Sequence, residues 1–130
     1  MKAYITCAVT HNKDKLNLLP KIEEVVKAKG IKTFVIEEGG NAEEIFKRDY
    51  EQLKNSNLMI AEISEPSIGV GIELGLSYSL GIKRILLLEK GKKLTKIARG
   101  MPETKIIEYE NVDELTEKLS FVLQNSKKNV

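Results

Sequence analysis

The chain has 130 residues, of which 42% are hydrophobic and 31% charged, and its formal net charge is +2. This size predicts one domain, spanning residues 1–130, that buries about two-thirds of its unfolded surface. No apolar run approaches the ~18 residues of a membrane span, and the first residues lack the apolar core of a signal peptide, so we expect a cytoplasmic protein with no membrane partner.

Acidic and basic residues are interleaved along the chain, and the one basic cluster, at residues 90–96, is interrupted by uncharged residues. The chain has no Trp and only 5% aromatic residues, which predicts no nucleic-acid polymer as a partner but leaves a small anionic ligand open. One cysteine and one histidine cannot form a zinc site, so neither a metal nor a cofactor is predicted. Cys7 is expected to be a buried, unreactive thiol.

Segments of strand and helix periodicity alternate along the chain. The predicted strands cover residues 2–9, 32–36, 57–63, 83–88 and 104–109. The predicted helices cover residues 18–28, 42–55, the stretch from the 64–71 loop to residue 80, and 112–125. Residues 91–103 are predicted to be irregular, with one helical turn. Pro20 is compatible with its helix only if it lies in the first turn, and Gly30 is a typical helix terminator.

Near-continuous apolar strands that alternate with helices indicate an α/β fold: a doubly wound domain with a five-stranded parallel sheet, flavodoxin-like or Rossmann-like. Such sheets bind ligands beyond the carboxyl ends of the strands, at the switch point between the first and third strands. The sequence therefore predicts a site built from three loops, at residues 10–14, 37–41 and 64–71.

The segment SEPSIGVGIELG supplies the third of these loops. Gly69, Gly71 and Gly75 form G-x-G-x-x-x-G, which is one residue longer than the dinucleotide fingerprint and follows the third strand instead of the first. Glu73 is predicted in the first turn of the following helix, where a carboxylate either stabilises the helix dipole or has a chemical role. The repeat of Gly71, Gly75 and Ser79 predicts a helix face open to another backbone, on a helix otherwise buried on most sides.

Asp49 is a second acid in an unusual place, because it lies four residues from both Ile45 and Leu53 on a core stripe that also includes Phe46. It is expected either to face the site or to pair with a neighbour such as Arg48. The strand-end acids Glu37, Glu38 and Glu62 are lesser candidates. Two acids that converge on a strand-edge pocket suit glycosyl chemistry, in which one attacks the anomeric carbon and the other protonates the leaving group or positions the first.

The run NLMIAEISEPSIGVGIELGLSYSLGIKRILLL, with RDYEQL upstream and LTKIARG downstream, resembles the nucleoside 2-deoxyribosyltransferase superfamily. It is most similar to the 2'-deoxynucleoside 5'-phosphate N-hydrolases, whose segment reads A-E-V-x-x-P-S-x-G-V-G-x-E-L-G. The resemblance covers roughly residues 4–100. It implies that Glu73 is the nucleophile that forms a glycosyl-enzyme intermediate, and that Asp49 is the second catalytic carboxylate.

The same resemblance implies the substrate-binding residues. Ser67 and the amides of Gly69 and Gly71 match the 5'-phosphate pocket, and Tyr4 matches a strand tyrosine near the sugar. Thr95 aligns with a serine that the family contributes from a neighbouring subunit, which implies a homodimer with composite sites; Ile97 belongs to the same stretch.

The chain departs from the family after its first strand, where the family pattern G-S-I-R-G-G is replaced by CAVTHN. Ala8 and Thr10 stand where the family has Ser and Arg, so a charge-assisted Arg–phosphate contact is lost. Either Thr10, His11 and Lys13 near Cys7 substitute for it, or the phosphate is bound less tightly, or the substrate differs. His11 by itself is more typical of an exposed loop histidine than of a catalytic base.

The resulting hypothesis is an N-glycosidase that cleaves the base from (deoxy)nucleoside 5'-monophosphates without a cofactor. One alternative is a deoxyribosyltransferase that passes the sugar to another base. A second alternative, from a different class, is a nucleotide-binding module without turnover.

Overall fold

Five parallel strands form one sheet in the order β2-β1-β3-β4-β5, with a helix after each strand. The structure is a computed structural model that describes residues 1–10 and 12–128, and side chains up to residue 125. The strands are β1 (Lys2–Cys7), β2 (Lys32–Val35), β3 (Leu58–Glu62), β4 (Lys83–Glu89) and β5 (Thr104–Tyr109). The helices are α1 (Leu19–Ala28), α2 (Ala42–Lys54), α3 (Ile68–Ser79), α4 (Lys96–Arg99) and α5 (Val112–Lys128), and a 3₁₀ turn at Leu16–Leu18 leads into α1. The predicted doubly wound α/β fold is confirmed.

The register of the central strands explains where β1 ends. β1 pairs with β2 only as far as Ile5 and with β3 as far as Cys7, which lies opposite Glu62. Residues 8 and 9 therefore have no ladder partner, and the strand predicted to reach residue 9 stops two residues earlier. The strand order reverses its direction between β1 and β3, so the crevice expected in such folds opens at their carboxyl ends.

Two apolar layers hold the helices on opposite faces of the sheet. On one face α1 and α5 pack over a cluster that includes Ile5, Ile22 and Leu119. On the other face α2, α3 and α4 contribute Leu53, Leu74 and Ala98. Both faces of the sheet are thus buried, as the continuous apolar strands predict.

The helix ends follow local sequence signals. Pro20 lies in the first turn of α1, as expected, and Gly30 ends that helix with a φ of 75°. The Asn41 side chain caps α2 by accepting a hydrogen bond from the Glu44 backbone N–H at 2.9 Å.

Helix α3 begins earlier, and is less buried, than the sequence predicts. The Ser67 side chain accepts a hydrogen bond from the Val70 N–H at 3.2 Å, so the helix starts at Ile68 and Glu73 lies in its second turn, not its first. Helix-dipole stabilisation of Glu73 is correspondingly weak, because that effect falls off within the first turn.

The apolar surface of α3 is only partly covered. Val70, Leu74 and Ser77 are its buried residues, whereas other apolar positions, Ile68, Ile72 and Tyr78, are exposed. A Cβ built on Gly71 or Gly75 meets no atom within 4 Å, so no other described backbone approaches this face. The prediction of a helix buried on most sides is wrong for this chain by itself.

None of the helices in the described part of the chain combines the length and the apolar character needed to cross a membrane.

Candidate active site

A pocket of about 500 Å³ opens at the carboxyl end of β1, between α2 and α3 and beside the loops that follow β2 and β3. The three loops predicted at the switch point all reach it, through Thr10, Glu38 and Ser67 among others. The pocket lies where the topology of the sheet predicts a ligand site.

Glu73 lies at the base of this pocket and is held by two side chains of β1. The Tyr4 hydroxyl donates a hydrogen bond to Glu73 Oε2, and the Thr6 hydroxyl donates to Oε1 at 3.0 Å. Both donors face the same way because alternate residues of a strand share a face. The carboxyl group is therefore fixed at both oxygens by a rigid central strand.

The protonation of Glu73 reflects this environment. Burial is the main influence and raises the pKa of the Glu73 carboxyl to about 7, against the opposing effect of the Tyr4 and Thr6 hydrogen bonds and with a further increase from the nearby Asp49 charge. Burial, followed by the Glu73 charge, raises the pKa of the Tyr4 hydroxyl above its ordinary value, so this hydroxyl stays a donor. A carboxyl group that titrates near neutrality in a cleft is a typical feature of a functional site.

Asp49 projects from α2 into the same pocket. Its Oδ1 accepts a hydrogen bond from Arg48 Nε at 3.0 Å, and its side chain is 22% exposed. Both expectations for Asp49, facing the site and pairing with Arg48, are met together. Arg48 also donates to the Glu37 carbonyl at 2.9 Å, so the ion pair is tied to the loop that follows β2.

Phe46 was expected in the core stripe of α2, and this expectation is wrong. Phe46 is 57% exposed at the rim of the pocket, where its ring stacks on Tyr50 with centroids 5.8 Å apart. Leu53, about two turns further along the helix, occupies the core instead. The apolar residues in the N-terminal half of α2 line the open pocket instead of packing on the strands.

The residues assigned to phosphate binding separate into two groups. Thr10, Ser67 and Gly69 line the pocket. The Gly71 amide does not point into it, because that N–H donates to the Ser67 carbonyl at 3.1 Å as part of the helix. The backbone N–H groups of Ile68 and Gly69, at the first two positions of α3, have no acceptor within the helix and can serve a ligand.

The other residues after β1 have different environments. Cys7 is 2% exposed and lines the pocket edge; burial, followed by the Glu62 charge, raises the pKa of its thiol to about 12, consistent with an unreactive group. Lys13 lies outside the pocket lining and forms an ion pair with Glu38 at 3.0 Å, with both side chains about half exposed. His11 lies outside the described residues.

The charged side chains in the described pocket lining are all carboxylates, namely Glu37, Glu38, Asp49 and Glu73. Anionic ligand groups would therefore meet only uncharged donors there. Over residues 1–10 and 12–128, no three His, Cys, Asp or Glu side chains come together in an arrangement that could hold a metal ion.

Thr95 and Ile97 do not reach the pocket within one chain. The Thr95 hydroxyl caps α4 by accepting a hydrogen bond from the Ala98 N–H at 3.4 Å, and Ile97 is 83% exposed. Their assignment to a neighbouring subunit's site stays a prediction.

Sequence reasoning missed Thr6 and the pair of Phe46 and Tyr50. Thr6 could have been found from its period-two spacing to Tyr4, which places both on one face of β1. Phe46 and Tyr50 could have been recognised as neighbours from their i, i+4 spacing, although nothing local indicated that Phe46 is exposed.

Comparison with known proteins gives a consistent family. The model of the nucleoside 2-deoxyribosyltransferase family matches residues 3–115. A Thermofilum pendens protein provisionally named 2'-deoxynucleoside 5'-phosphate N-hydrolase 1 is 30% identical over 139 aligned positions, which cover 97% of each chain. The mouse 5-hydroxymethyl-dUMP N-hydrolase is 39% identical over 67 residues, which cover 49% of this chain and 38% of the mouse protein.

Two solved structures share the fold. A CMP N-glycosidase of Clostridium botulinum superimposes with a TM-score of 0.74 at 24% identity, covering 92% of this chain and 98% of that one. A 2-deoxyribosyltransferase of Bacillus psychrosaccharolyticus superimposes with a TM-score of 0.67 at 23% identity, covering 89% and 90%.

Proposed function

Because this chain belongs to the nucleoside 2-deoxyribosyltransferase family, we propose that it is an N-glycosidase that hydrolyses the N-glycosidic bond of (deoxy)nucleoside 5'-monophosphates. The products are the free base and (deoxy)ribose 5-phosphate. The observation that carries this proposal is the pair of carboxyl groups, Glu73 and Asp49, that line one pocket at the switch point of the sheet. The names of the N-hydrolase relatives support the same reaction class.

Glu73 is the proposed nucleophile. Its carboxylate attacks the anomeric carbon, the bond from that carbon to the base nitrogen breaks with its electron pair going to the base, and a glycosyl ester on Glu73 results. Tyr4 and Thr6 orient the carboxylate oxygens during the attack. Ionisation of Glu73 is required first, which a pKa of about 7 allows for a large fraction of the molecules at neutral pH.

Asp49 is the proposed acid–base group. In the productive form the proton that the two carboxyl groups share lies on Asp49, and Glu73 is ionised. Asp49 gives this proton to the departing base, and then takes one from the water molecule whose oxygen attacks the anomeric carbon and releases Glu73. Over the complete cycle one water is consumed and both carboxyl groups regain their starting state.

The 5'-phosphate is assigned to the N-terminus of α3. The Ser67 and Thr10 hydroxyls and the free amides of Ile68 and Gly69 are suited to phosphate oxygens, since a helix N-terminus favours negative charge. This set contains no cation, so we expect weaker phosphate binding than a bidentate arginine would give.

The all-carboxylate charge of the lining favours a second candidate function, the transfer of deoxyribose between bases from an uncharged nucleoside. A nucleoside carries no phosphate and needs no cationic partner. In this reaction a second base, not water, would attack the glycosyl ester on Glu73.

We also propose that two copies of the chain associate through the exposed face of α3 and that Thr95 and Ile97 complete the neighbouring site. Ile68 and Ile72 are 83% and 54% exposed, and Gly71 and Gly75 leave the helix surface open for close approach. Light scattering tests the association: an active monomer would contradict it.

The decisive experiment measures base release by chromatography from a panel of nucleoside 5'-monophosphates and the matching nucleosides. Glu73→Gln is compared with Glu117→Gln, a control on the exposed face of α5. If the wild type releases base from monophosphates and Glu73→Gln does not, the result supports the hydrolase. Release from nucleosides that rises when a second base is added supports the transferase. If the wild type binds nucleotides but releases no base, the chain is a binding module.

A further inference from the structure

We propose that Phe46 and Tyr50 form the platform on which the base of the substrate stacks, an inference that rests on the proposed N-glycosidase function. The two rings are nearly parallel, with an interplanar angle of 10° and centroids 5.8 Å apart. Both line the pocket, and Phe46 is 57% exposed. Exposed aromatic surface at the mouth of a concave site is poorly solvated, so its burial under a flat apolar group is favourable.

The position of the pair relative to Asp49 decides which part of the substrate reaches it. Phe46 and Asp49 are three residues apart on α2 and Tyr50 adjoins them, so the three side chains project from neighbouring positions of one helix face. The base is the part of the substrate that must meet Asp49, because Asp49 exchanges the proton of the leaving group. A base in contact with Asp49 therefore lies beside the Phe46 and Tyr50 rings.

No other aromatic residue of the described pocket lining offers a free face. Tyr4 also lines the pocket, but it is 0% exposed, packs against Phe34 at a centroid distance of 5.4 Å and donates its hydroxyl to Glu73. Many of the other side chains that line the pocket are apolar, among them Ile36, Ala42, Ile45 and Leu53. Such surroundings favour recognition of the base through its ring face, which every base possesses, over recognition of its edge.

Stacking of the Tyr50 ring against Phe46 has a further effect. It restricts the rotation of the Phe46 side chain before the ligand arrives, so less conformational entropy is lost when a base stacks on it. The platform is thus partly organised in the free protein.

The test measures ligand affinity by calorimetry in the Glu73→Gln background, which prevents turnover. The ligands are dAMP, dCMP, the matching deoxynucleosides and 2-deoxyribose 5-phosphate, which has no base. Phe46→Ala is expected to weaken the binding of every base-bearing ligand by roughly tenfold or more, and to leave 2-deoxyribose 5-phosphate unchanged. Phe46→Leu, which keeps an apolar side chain but removes the ring, should lose a similar factor.

Phe121→Ala is the matched control, because Phe121 is 67% exposed on α5 and lies outside this pocket. It should change no affinity. Unchanged binding of base-bearing ligands to Phe46→Ala, an equal loss for 2-deoxyribose 5-phosphate, or no binding of any base-bearing ligand would overturn the platform.

The two proposals fail separately. If the wild type releases no base but Phe46→Ala still loses affinity only for base-bearing ligands, the platform stands and the N-glycosidase function falls. If base is released and Phe46→Ala keeps the wild-type affinities and KM, the function stands and the platform falls.

Discussion

Two glutamates at the carboxyl edge of the sheet have nearly the same hydrogen-bond donors but different surroundings. Glu62, at the end of β3, accepts hydrogen bonds from the Tyr109 hydroxyl and from the Ser64 hydroxyl at 2.7 Å. Glu73, on α3, accepts from the Tyr4 hydroxyl and from the Thr6 hydroxyl at 3.0 Å. Each carboxyl group thus meets one tyrosine and one small hydroxyl residue.

The difference lies in what occupies the remaining side of each carboxyl group. Glu62 is 1% exposed and also accepts from the Ser64 N–H at 2.8 Å, while the Ser64 hydroxyl in turn accepts from the Glu89 N–H at 2.7 Å. Its network is closed and ties β3 to β4 and β5. Glu73 instead faces a pocket and a second carboxylate, Asp49. A buried carboxylate whose oxygens are surrounded by protein donors stabilises the fold, whereas a carboxylate that also faces a pocket can contact a ligand.

Neutralising each glutamate should separate the two roles most strongly. Glu73→Gln is expected to lower base release on the order of 10⁴-fold, because the nucleophile is removed, with little loss of folding stability. Glu62→Gln should lower the free energy of unfolding by roughly 1–3 kcal/mol, because its amide cannot accept all of these donors, and should change turnover only a few-fold. Chromatography of released base and urea denaturation measure the two effects. A large loss of turnover in Glu62→Gln, with turnover retained in Glu73→Gln, would contradict this comparison.

Asp49→Asn should lower base release by about 10²–10⁴-fold, since it removes the proposed acid–base group but leaves the nucleophile. The loss should be much smaller for a substrate whose leaving group needs no protonation. Asp113→Asn, at an exposed position in the first turn of α5, serves as the control. Equal losses on activated and natural substrates would show that Asp49 positions Glu73 instead of moving a proton.

The pH dependence of stability should be visible for Glu73. Below a pH of about 4.5 its carboxyl group is protonated in both the folded and the unfolded chain, and above about 7 it is ionised in both. Between these values only the folded chain holds the proton, so the wild type loses up to about 3 kcal/mol relative to Glu73→Gln as pH rises. Denaturation of both proteins across this range measures the difference; parallel curves would contradict the raised pKa.

The same ionisation should appear in catalysis. For a substrate whose leaving group needs no protonation, values of kcat/KM are expected to rise about tenfold per pH unit up to roughly pH 7 and then level, because only the carboxylate form of Glu73 attacks. A profile that is flat from about pH 5 to 7 would exclude Glu73 as the titrating nucleophile.

The smallest expected effects come from the two tyrosines. Tyr109→Phe should cost about 1 kcal/mol of stability without altering the pH profile of activity. Tyr4→Phe removes a hydrogen bond that lowers the pKa of Glu73, so the rise of kcat/KM should move to higher pH. An identical pH profile for Tyr4→Phe and the wild type would mean that the Tyr4 contact is only structural.

Local patterns predicted much of the fold and part of the site. The alternation of strand and helix periodicity was sufficient for the parallel sheet and its switch point, because each element must bury an apolar face against its neighbours. Glu73 and Asp49 were predicted as site residues because an acid on an apolar helix face is unusual in itself. The start of α3 was misplaced by reading the glycines as loop, although the cap by Ser67 makes them helical.

The sequence by itself determined the doubly wound fold, the edge of the sheet that holds the pocket and the two acids that reach it, since these follow from periodicity and chain direction. Only the tertiary structure decided that Tyr4 and Thr6 hold Glu73, that Tyr109 reaches Glu62, and that Phe46 stays exposed. The physical reason is that a side chain's burial and partners depend on elements far away in the chain. Tyr4 and Glu73 meet only after α3 packs on the face of the sheet to which the Tyr4 side chain points.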